Sequence, residues 1–369
     1  MVTLPRAVWA IVLRFTLGFG VICGTAYGEG PPLTIGVILP LSGSAASFGA
    51  IGRAAIELAL EDLPPEDKGR VRVIFEDDGL VANRSVSAGQ KLIAIDQVDA
   101  LISWSSSTGL SLASITESRR IPHISIASDP AVALGRRYTF TYWALPQDEA
   151  QELYNYLVTR GVKRVALLAV TQNGLLAVRD AFIDEARRRG DIAIVASEEA
   201  SADTQDFRGI MERIRRRGQI DGFIPIFFPG QLSTSVKQAR LAGITAPIFG
   251  FETFEDSDDS KAANGLFTGV VYATGADPSP EFTDRFHKKT PGMSYYTASN
   301  CYDAVVLLAR AARERKEPEV IAEFLRSIKD YPAASGRVSA TGDNRFSLPT
   351  VMKRIGPSGM AEPIASTEH

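Results

Sequence analysis

The stretch Leu33-Thr-Ile-Gly-Val-Ile-Leu39 decides the fold. It is a short, nearly continuous apolar run, the pattern of a strand covered on both faces, as in a parallel sheet. The next segment changes period. From Ala50 to Leu63 the apolar set Ile51, Ala55, Ile56, Leu58 and Leu60 recurs at helical spacing. Working outward, the alternation continues. Val71 to Phe75 reads as a strand and Val81 to Ile95 as a helix. Ala100 to Ile102 is a third strand, followed by a helix from about Thr108 to Arg119. His123 to Ile126 and Thr139 to Trp143 are two more strands.

The pattern restarts after Pro146. Asp148 to Arg160, Leu175 to Arg189, Asp206 to Arg217 and Gln231 to Ala242 read as helices. Between and after them lie strands at Arg164 to Val170, Ile192 to Ala196, Ile220 to Phe228, Ile248-Phe249 and Val270 to Ala273. Helices at 297–314 and 317–328 follow, then a Gly/Ser/Asp-rich stretch from Ser335 to Asn344. Strand-helix-strand repetition implies right-handed crossovers. The expected fold is therefore α/β, with two doubly wound parallel-sheet lobes. No low-complexity linker separates the halves. Pro/Gly-rich connections at about 145–147, 273–277 and 335–341 predict several crossings, a multi-strand hinge. The expected division is an export signal over 1–28, a first lobe over 29–146 and 274–336, a second over 147–273 and 337–355, and a loose tail over 356–369.

Bulk properties narrow the function. A chain of 369 residues suits two domains of ordinary size. The 40 basic and 43 acidic residues are spread along it, so no basic face supports a nucleic-acid partner. The Arg runs at 187–189 and 215–217 read as cations placed against the negative ends of helix dipoles. At the N-terminus, Arg6 and Arg14 precede the apolar run Phe15 to Cys23, and Ala26-Tyr27-Gly28 offers small residues at a cleavage site. This predicts an exported protein cleaved after Gly28. Arg14 interrupts the apolar stretch and argues against an uncleaved span, which needs roughly 20 apolar residues. Ile22 before Cys23 argues against lipidation. Cleavage leaves one cysteine, Cys301, hence no internal disulfide and a buried structural thiol.

In open parallel sheets, ligands sit beyond the carboxyl ends of the strands. Four such loops carry chemistry. Pro40 to Gly49 is small and polar, with one aromatic, Phe48. Trp104-Ser-Ser-Ser-Thr-Gly109 sets hydroxyls, Ser105 and Ser106 first, at a helix N-terminus, where amides and dipole favour an anion. Plain helix capping is the alternative reading. Ile126-Ala-Ser-Asp-Pro130 offers the Ala127 carbonyl, the Ser128 hydroxyl and the Asp129 carboxylate; an Asp-Pro turn is its bland reading. Gly250-Phe-Glu-Thr-Phe254 sets Glu252 between aromatics, suited to an ammonium. An anion end (Ser105 to Thr108) and a cation end (Asp129, Glu252) complement an amino-acid zwitterion, provided the loops converge. The three histidines, His123, His287 and His369, lack metal-ligand spacing. There is no nucleophile elbow and no phosphate loop. His123 reads as a packed strand histidine. A binding protein without metal or cofactor is expected, not an enzyme.

At these loops the chain resembles the periplasmic leucine/isoleucine/valine-binding protein family, the type I solute receptors of ABC importers. The resemblance covers roughly residues 32 to 355. Its anchors are Ile35-Gly-Val-Ile-Leu-Pro-Leu-Ser-Gly43 with Phe48-Gly49, Asp77-Asp78, Ser105 to Thr108, Gln238-Ala-Arg-Leu-Ala-Gly243 and Gly250-Phe-Glu252. It implies a type I periplasmic binding protein fold, a periplasmic location, a small-molecule ligand captured by hinge closure, and a membrane ABC permease as partner. A sensory receptor on the same fold is the alternative. By the resemblance, Ser105 binds a ligand carboxylate through hydroxyl and amide. Ala127 gives a carbonyl to the ammonium, and Glu252 is the ammonium-binding acid. Phe48 and Phe228 stand for pocket tyrosines and Asn173 for another. Asp129 replaces a threonine, which would shift preference toward a more cationic or polyhydroxylated ligand. Trp104 stands where some members have a cysteine.

Overall fold

The computed structural model describes residues 32–256, 260 and 262–364. The export signal expected over 1–28 lies outside the described residues. The chain runs β1 (Leu33–Leu39), α1 (Ala46–Asp62), β2 (Val71–Asp77), α2 (Ala82–Ala94), β3 (Ala100–Trp104), α3 (Ser106–Arg119), β4 (His123–Ile126) and β5 (Thr139–Tyr142). It then forms α4 (Pro146–Thr159), β6 (Arg164–Val170), α5 (Asn173–Arg189), β7 (Ala193–Ala200), α6 (Arg208–Arg216), β8 (Gly222–Ile226), α7 (Gln231–Leu241), β9 (Phe249–Gly250) and β10 (Val271–Gly275). Last come α8 (Pro280–Lys289), α9 (Ala298–Ala311), α10 (Pro318–Ser327), β11 (Tyr331–Ala333), β12 (Gly336–Ala340), β13 (Arg345–Ser347), β14 (Thr350–Ile355) and β15 (Ala361–Pro363).

The first sheet has the order β11-β12-β13-β5-β4-β3-β1-β2. From β13 to β2 every neighbour is parallel. β1 lies inside it, which is why Ile35, Val37, Ile38 and Leu39 are all buried. The second lobe holds the parallel ladder β7-β6-β8 and the ladder β15-β14-β10-β9, joined by a parallel bridge between Phe223 and Ile248. Each lobe has its own core. Phe140, Tyr142, Phe282, Phe286 and Leu308 belong to the first. Tyr154, Phe182, Phe207, Phe251 and Tyr272 belong to the second.

Three connections pass between the sheets: β5 to α4, β10 to α8, and β13 to β14. The third differs from expectation. Residues 337–347 were expected in the second lobe, yet β12 and β13 pair within the first sheet. The crossing is at Leu348-Pro349, and only β14 joins the second lobe, antiparallel to β10. The tail from 356 is not wholly loose either. Gly359 turns the chain at φ +77°, and β15 adds to β14. The helix α8 is a further element that the apolar pattern does not announce.

Local chemistry fits these elements. α4 starts with Pro146 and carries Asp148 and Glu149 in its first turn, against the positive dipole end. Arg187, Arg188 and Arg189 occupy the last turn of α5, as the charge run suggested. Cys301 is a buried free thiol on α9, and burial pushes it up to about 12. His123 is fully buried in β4 with Nε2 2.8 Å from the Ser103 hydroxyl, and burial drives it down to about 3. It is packed inside a sheet, away from any cavity.

Candidate functional site

The carboxyl ends of β3 and β4 face those of β6, β8 and β9 across a cleft. A cavity there spans about 410 Å³ of empty space, open solvent at its mouth included. The first lobe lines it with Ser105, Ser106, Ile126, Ala127 and Ser128. The second contributes Gln172, Leu175, Phe228, Glu252 and Thr253. Trp104, Trp143 and Tyr296 supply aromatic wall. Six of the residues singled out in the sequence, Ser105, Ser106, Ala127, Ser128, Phe228 and Glu252, therefore meet in one space.

The serine end is built on strain. Ser105 caps α3 with φ +87° and ψ 150°, a region that side chains other than glycine rarely enter. Such a conformation costs of order 1–3 kcal/mol and persists only where surroundings impose it. Here its N–H donates to the Ile126 carbonyl at 3.0 Å. Its hydroxyl accepts from the Thr108 N–H and donates to the Thr108 hydroxyl, which donates to Asp78 at 2.6 Å. Asp78 is fully buried and also holds the Ser85 hydroxyl at 2.7 Å. The Ser105 amide, expected to face a ligand, is thus committed to β4. Of the first-turn amides that follow it, Thr108 is capped by the Ser105 hydroxyl, and those of Ser106 and Ser107 have no partner within the helix.

Three residues named from the sequence do not line the cavity. Phe48 lies behind the wall, stacked on Trp104 at 5.3 Å and edge-on to Tyr296 at 5.8 Å. Asp129 commits one carboxylate oxygen to its own turn, accepting from the Ala131 N–H at 2.9 Å. Burial raises its pKa, and Asp180 across the cleft adds to the effect. Asp129 is not among the residues that line this cavity. Asn173 is exposed at the mouth, where it accepts from the Ser107 hydroxyl at 3.2 Å. Beside it, Gln172 donates to Ser107 at 3.1 Å and caps α5 through its carbonyl oxygen. These bonds join the two lobes.

Sequence reading missed Trp143, Gln172, Thr253 and Tyr296. Trp143 directly follows β5 and Thr253 sits inside the quoted Gly250 to Phe254 motif, so the strand-end rule had the means to find both. Tyr296 precedes a helix and had no such signal. Gly174 was also missed, and it marks a close approach of the lobes. A Cβ there would lie 2.7 Å from the Ser128 hydroxyl and 2.8 Å from that of Ser106. Gly174→Val is expected to weaken ligand binding by roughly 1–3 kcal/mol, the usual cost of overpacking. Small-angle scattering should show a larger radius of gyration for the ligand-saturated variant than for the wild type. Identical radii and affinities would contradict this contact.

The cation end is unusual in what it lacks. Glu252 is 4% exposed, and its Oε2 has no hydrogen-bond partner. The Thr253 hydroxyl is likewise buried and unpartnered, and the Trp143 indole N–H, buried with no close partner, lies near enough to Glu252 to act on its carboxylate. Buried polar groups are normally satisfied, so a cluster of orphans on one cavity wall marks a place for something else to bind. Burial raises the Glu252 pKa; its own N–H, Glu149 and Trp143 pull the other way. Among the described residues, no group of histidines, cysteines or acids is arranged to hold a metal ion, and no helix is long and apolar enough to cross a membrane.

Residues 32–356 match the sequence pattern of the family described as periplasmic binding protein. The chain belongs to that family. Its members are solute-binding proteins, not enzymes, and work outside the cytoplasm. Among solved structures, this periplasmic binding protein is similar to a leucine-binding protein, LivK, from Thermotoga maritima. The identity is 20%, the TM-score 0.82, and 90% of this chain and 98% of that one are covered. It is also similar to a solute-binding protein of an ABC transporter from R. palustris in complex with 4-hydroxybenzoate, at 17% identity, TM-score 0.81, covering 90% and 96%. A type 1 periplasmic binding protein from Bordetella pertussis Tohama I gives 19% identity and TM-score 0.81, covering 90% and 100%. At these identities the likeness shows the fold, an α/β type I architecture. Comparison with curated protein sequences returned no match.

Proposed function

We propose that this protein is the periplasmic receptor of an ABC importer and captures an amino acid with an apolar or aromatic side chain by closing its two lobes. The observation that carries the reading is a pair of unpartnered buried groups on adjacent cavity-lining residues, Glu252 Oε2 and the Thr253 hydroxyl. A carboxylate with a free oxygen in a dry wall calls for a cation. The opposite wall carries the N-terminus of α3 with Ser105 and Ser106, suited to a carboxylate. Between them stand Trp104, Phe228, Leu175 and Tyr296, an apolar lining for the ligand side chain. The Ala127 carbonyl is a second acceptor for the ammonium. The ligand docks on the first lobe, and closure brings Glu252 and Phe228 over it. Closure is favoured because the ligand binds the closed state more tightly, and the closed form is what a membrane permease reads.

Solved relatives on this fold carry names that mention leucine and 4-hydroxybenzoate. Benzoate has no donor for Glu252 and 4-hydroxybenzoate offers only a neutral phenol, whereas an ammonium also balances the buried charge, which is why the amino acid is preferred. A thermal-shift panel of L-amino acids, benzoate and 4-hydroxybenzoate tests the choice. A ligand at a hundred times its Kd stabilises by about 2.7 kcal/mol, readily seen as a Tm increase. Stabilisation by amino acids supports the reading. Stabilisation by the benzoates alone overturns it.

A further inference from the structure

Behind Glu252 lies a second acid that the ligand does not reach. Glu149, in the first turn of α4, is fully buried, and neither of its carboxyl oxygens meets a donor. Its carboxyl stands beside that of Glu252, close enough for one to hydrogen-bond the other. The two come from separate elements, α4 just past the first hinge connection and the turn after β9. They meet because α4 packs against β10 and β14 of the second lobe. Two carboxylates cannot share such a space without a cation or a proton between them.

No cation faces them in the described structure. Glu252 and Asp148, both acids, are the charges that act on Glu149. On the turn with Glu252, Glu255 binds the Lys353 ammonium of β14 at 2.6 Å and the Tyr272 hydroxyl of β10 at 2.8 Å. That ammonium is shared with Asp277, again at 2.6 Å. Asp256 follows on the same turn. Tyr296 brings a phenol held neutral by burial, with Glu252 adding to the effect. On α5, Arg179 is engaged by Asp180 and Glu199, and Arg189 lies over the Tyr154 ring. A proton is what remains.

We propose that Glu149 stays protonated and donates a hydrogen bond to Glu252, acting as a positioning residue that presents Glu252 as a single, oriented negative charge. The inference deepens the reading of Glu252 as the cation end and rests on it. The consequences are specific. The wall carries one negative charge, matched to one ammonium, and not two. The proton fixes one Glu252 oxygen and leaves the other for the ligand. Burial and the neighbouring Glu252 charge both favour the protonated form, in agreement with this assignment.

The test needs no ligand. An acid whose proton is held more tightly in the folded chain than in the unfolded one lowers stability as pH rises. The ordinary value for Glu is 4.5. Above it the unfolded chain has lost the proton and the folded chain has not. Wild-type stability should therefore fall, relative to Glu149→Gln, by about tenfold in the unfolding constant per pH unit, from about pH 5 until Glu149 ionises. Near pH 4 the difference should be flat. Gln retains an N–H for Glu252, so this variant keeps the positioning bond. Parallel curves from pH 4 to 8 would overturn the proposal. Carbon-13 spectra of wild-type protein labelled in Glu carboxyls provide a reading that does not depend on the variant folding. One carboxyl should remain protonated at pH 7 and shift in Glu252→Gln. Full ionisation of every Glu at pH 7 would refute the shared proton. A protonated pair in a protein that ignores amino acids would leave this inference standing and remove only the ligand assignment.

Discussion

Replacing Glu252 by alanine is expected to weaken an amine ligand by about 2–5 kcal/mol, the range for truncating one partner of a buried charge pair. In affinity this is roughly thirtyfold to several thousandfold. The effect is large because the site offers the ammonium little else of full charge. The Ala127 carbonyl and the Thr253 hydroxyl supply only partial charges, and Asp129 is turned away into its own 3-10 turn. Glu252→Gln should fall within the same range, since it keeps the shape and loses the charge. Acidification should mimic the substitution. The raised pKa of Glu252 means its carboxylate is lost earlier than usual as pH falls. Amine affinity should therefore decline on the acid side and hold steady above it. Calorimetry with the best amino acid from the panel measures both effects. Unchanged affinity in Glu252→Ala would remove the carboxylate from the site.

The sequence disclosed the parts of the fold that are internally determined. β1, β3 and β6 are covered on both faces over most of their length, so they are mainly apolar, and a nearly continuous run reveals them. β11, β13 and β15 are three-residue segments near sheet edges. Their pairing depends on partners already in place, so Tyr331-Pro332-Ala333 carries little strand pattern of its own. That is why the third crossing was expected too early in the chain. The site divides in the same way. Ser105, Ser106, Ala127, Ser128 and Glu252 follow strands directly, where the topology obliges loops to meet. Glu149 reads locally as an acid completing a helix dipole, a satisfactory account by itself. Only the packing of α4 behind the turn at Glu252 gives it another role. Asp129 shows the converse. Its charge suggested a ligand, while its Asp-Pro turn takes one carboxylate oxygen and keeps the residue out of the cavity lining.

The Gly49→Ala variant is expected to lose about 3 kcal/mol of stability or more, beyond the usual range for overpacking. Gly49 lies in the first turn of α1, where the helix passes directly over the end of β1. A Cβ there would lie 2.2 Å from the Pro40 carbonyl oxygen and 2.6 Å from its carbon. Both are backbone atoms, so no rotamer change relieves the overlap; either α1 or the loop from Pro40 must move. Gly209 provides the control. It is also helical, on α6, but a Cβ meets nothing within 4 Å. Gly209→Ala should be neutral or stabilise by up to about 1 kcal/mol through helix propensity. The cost at Gly49 also reaches the site. Phe48 is its neighbour, and the ring is pressed on Trp104 and Tyr296, which form cavity wall. A displaced α1 withdraws that support, so the variant should lose affinity as well as stability. Urea unfolding of both variants, with ligand titration of each, separates the cases. Equal midpoints for Gly49→Ala and Gly209→Ala would mean that the close approach of α1 to Pro40 does not fix the first loop.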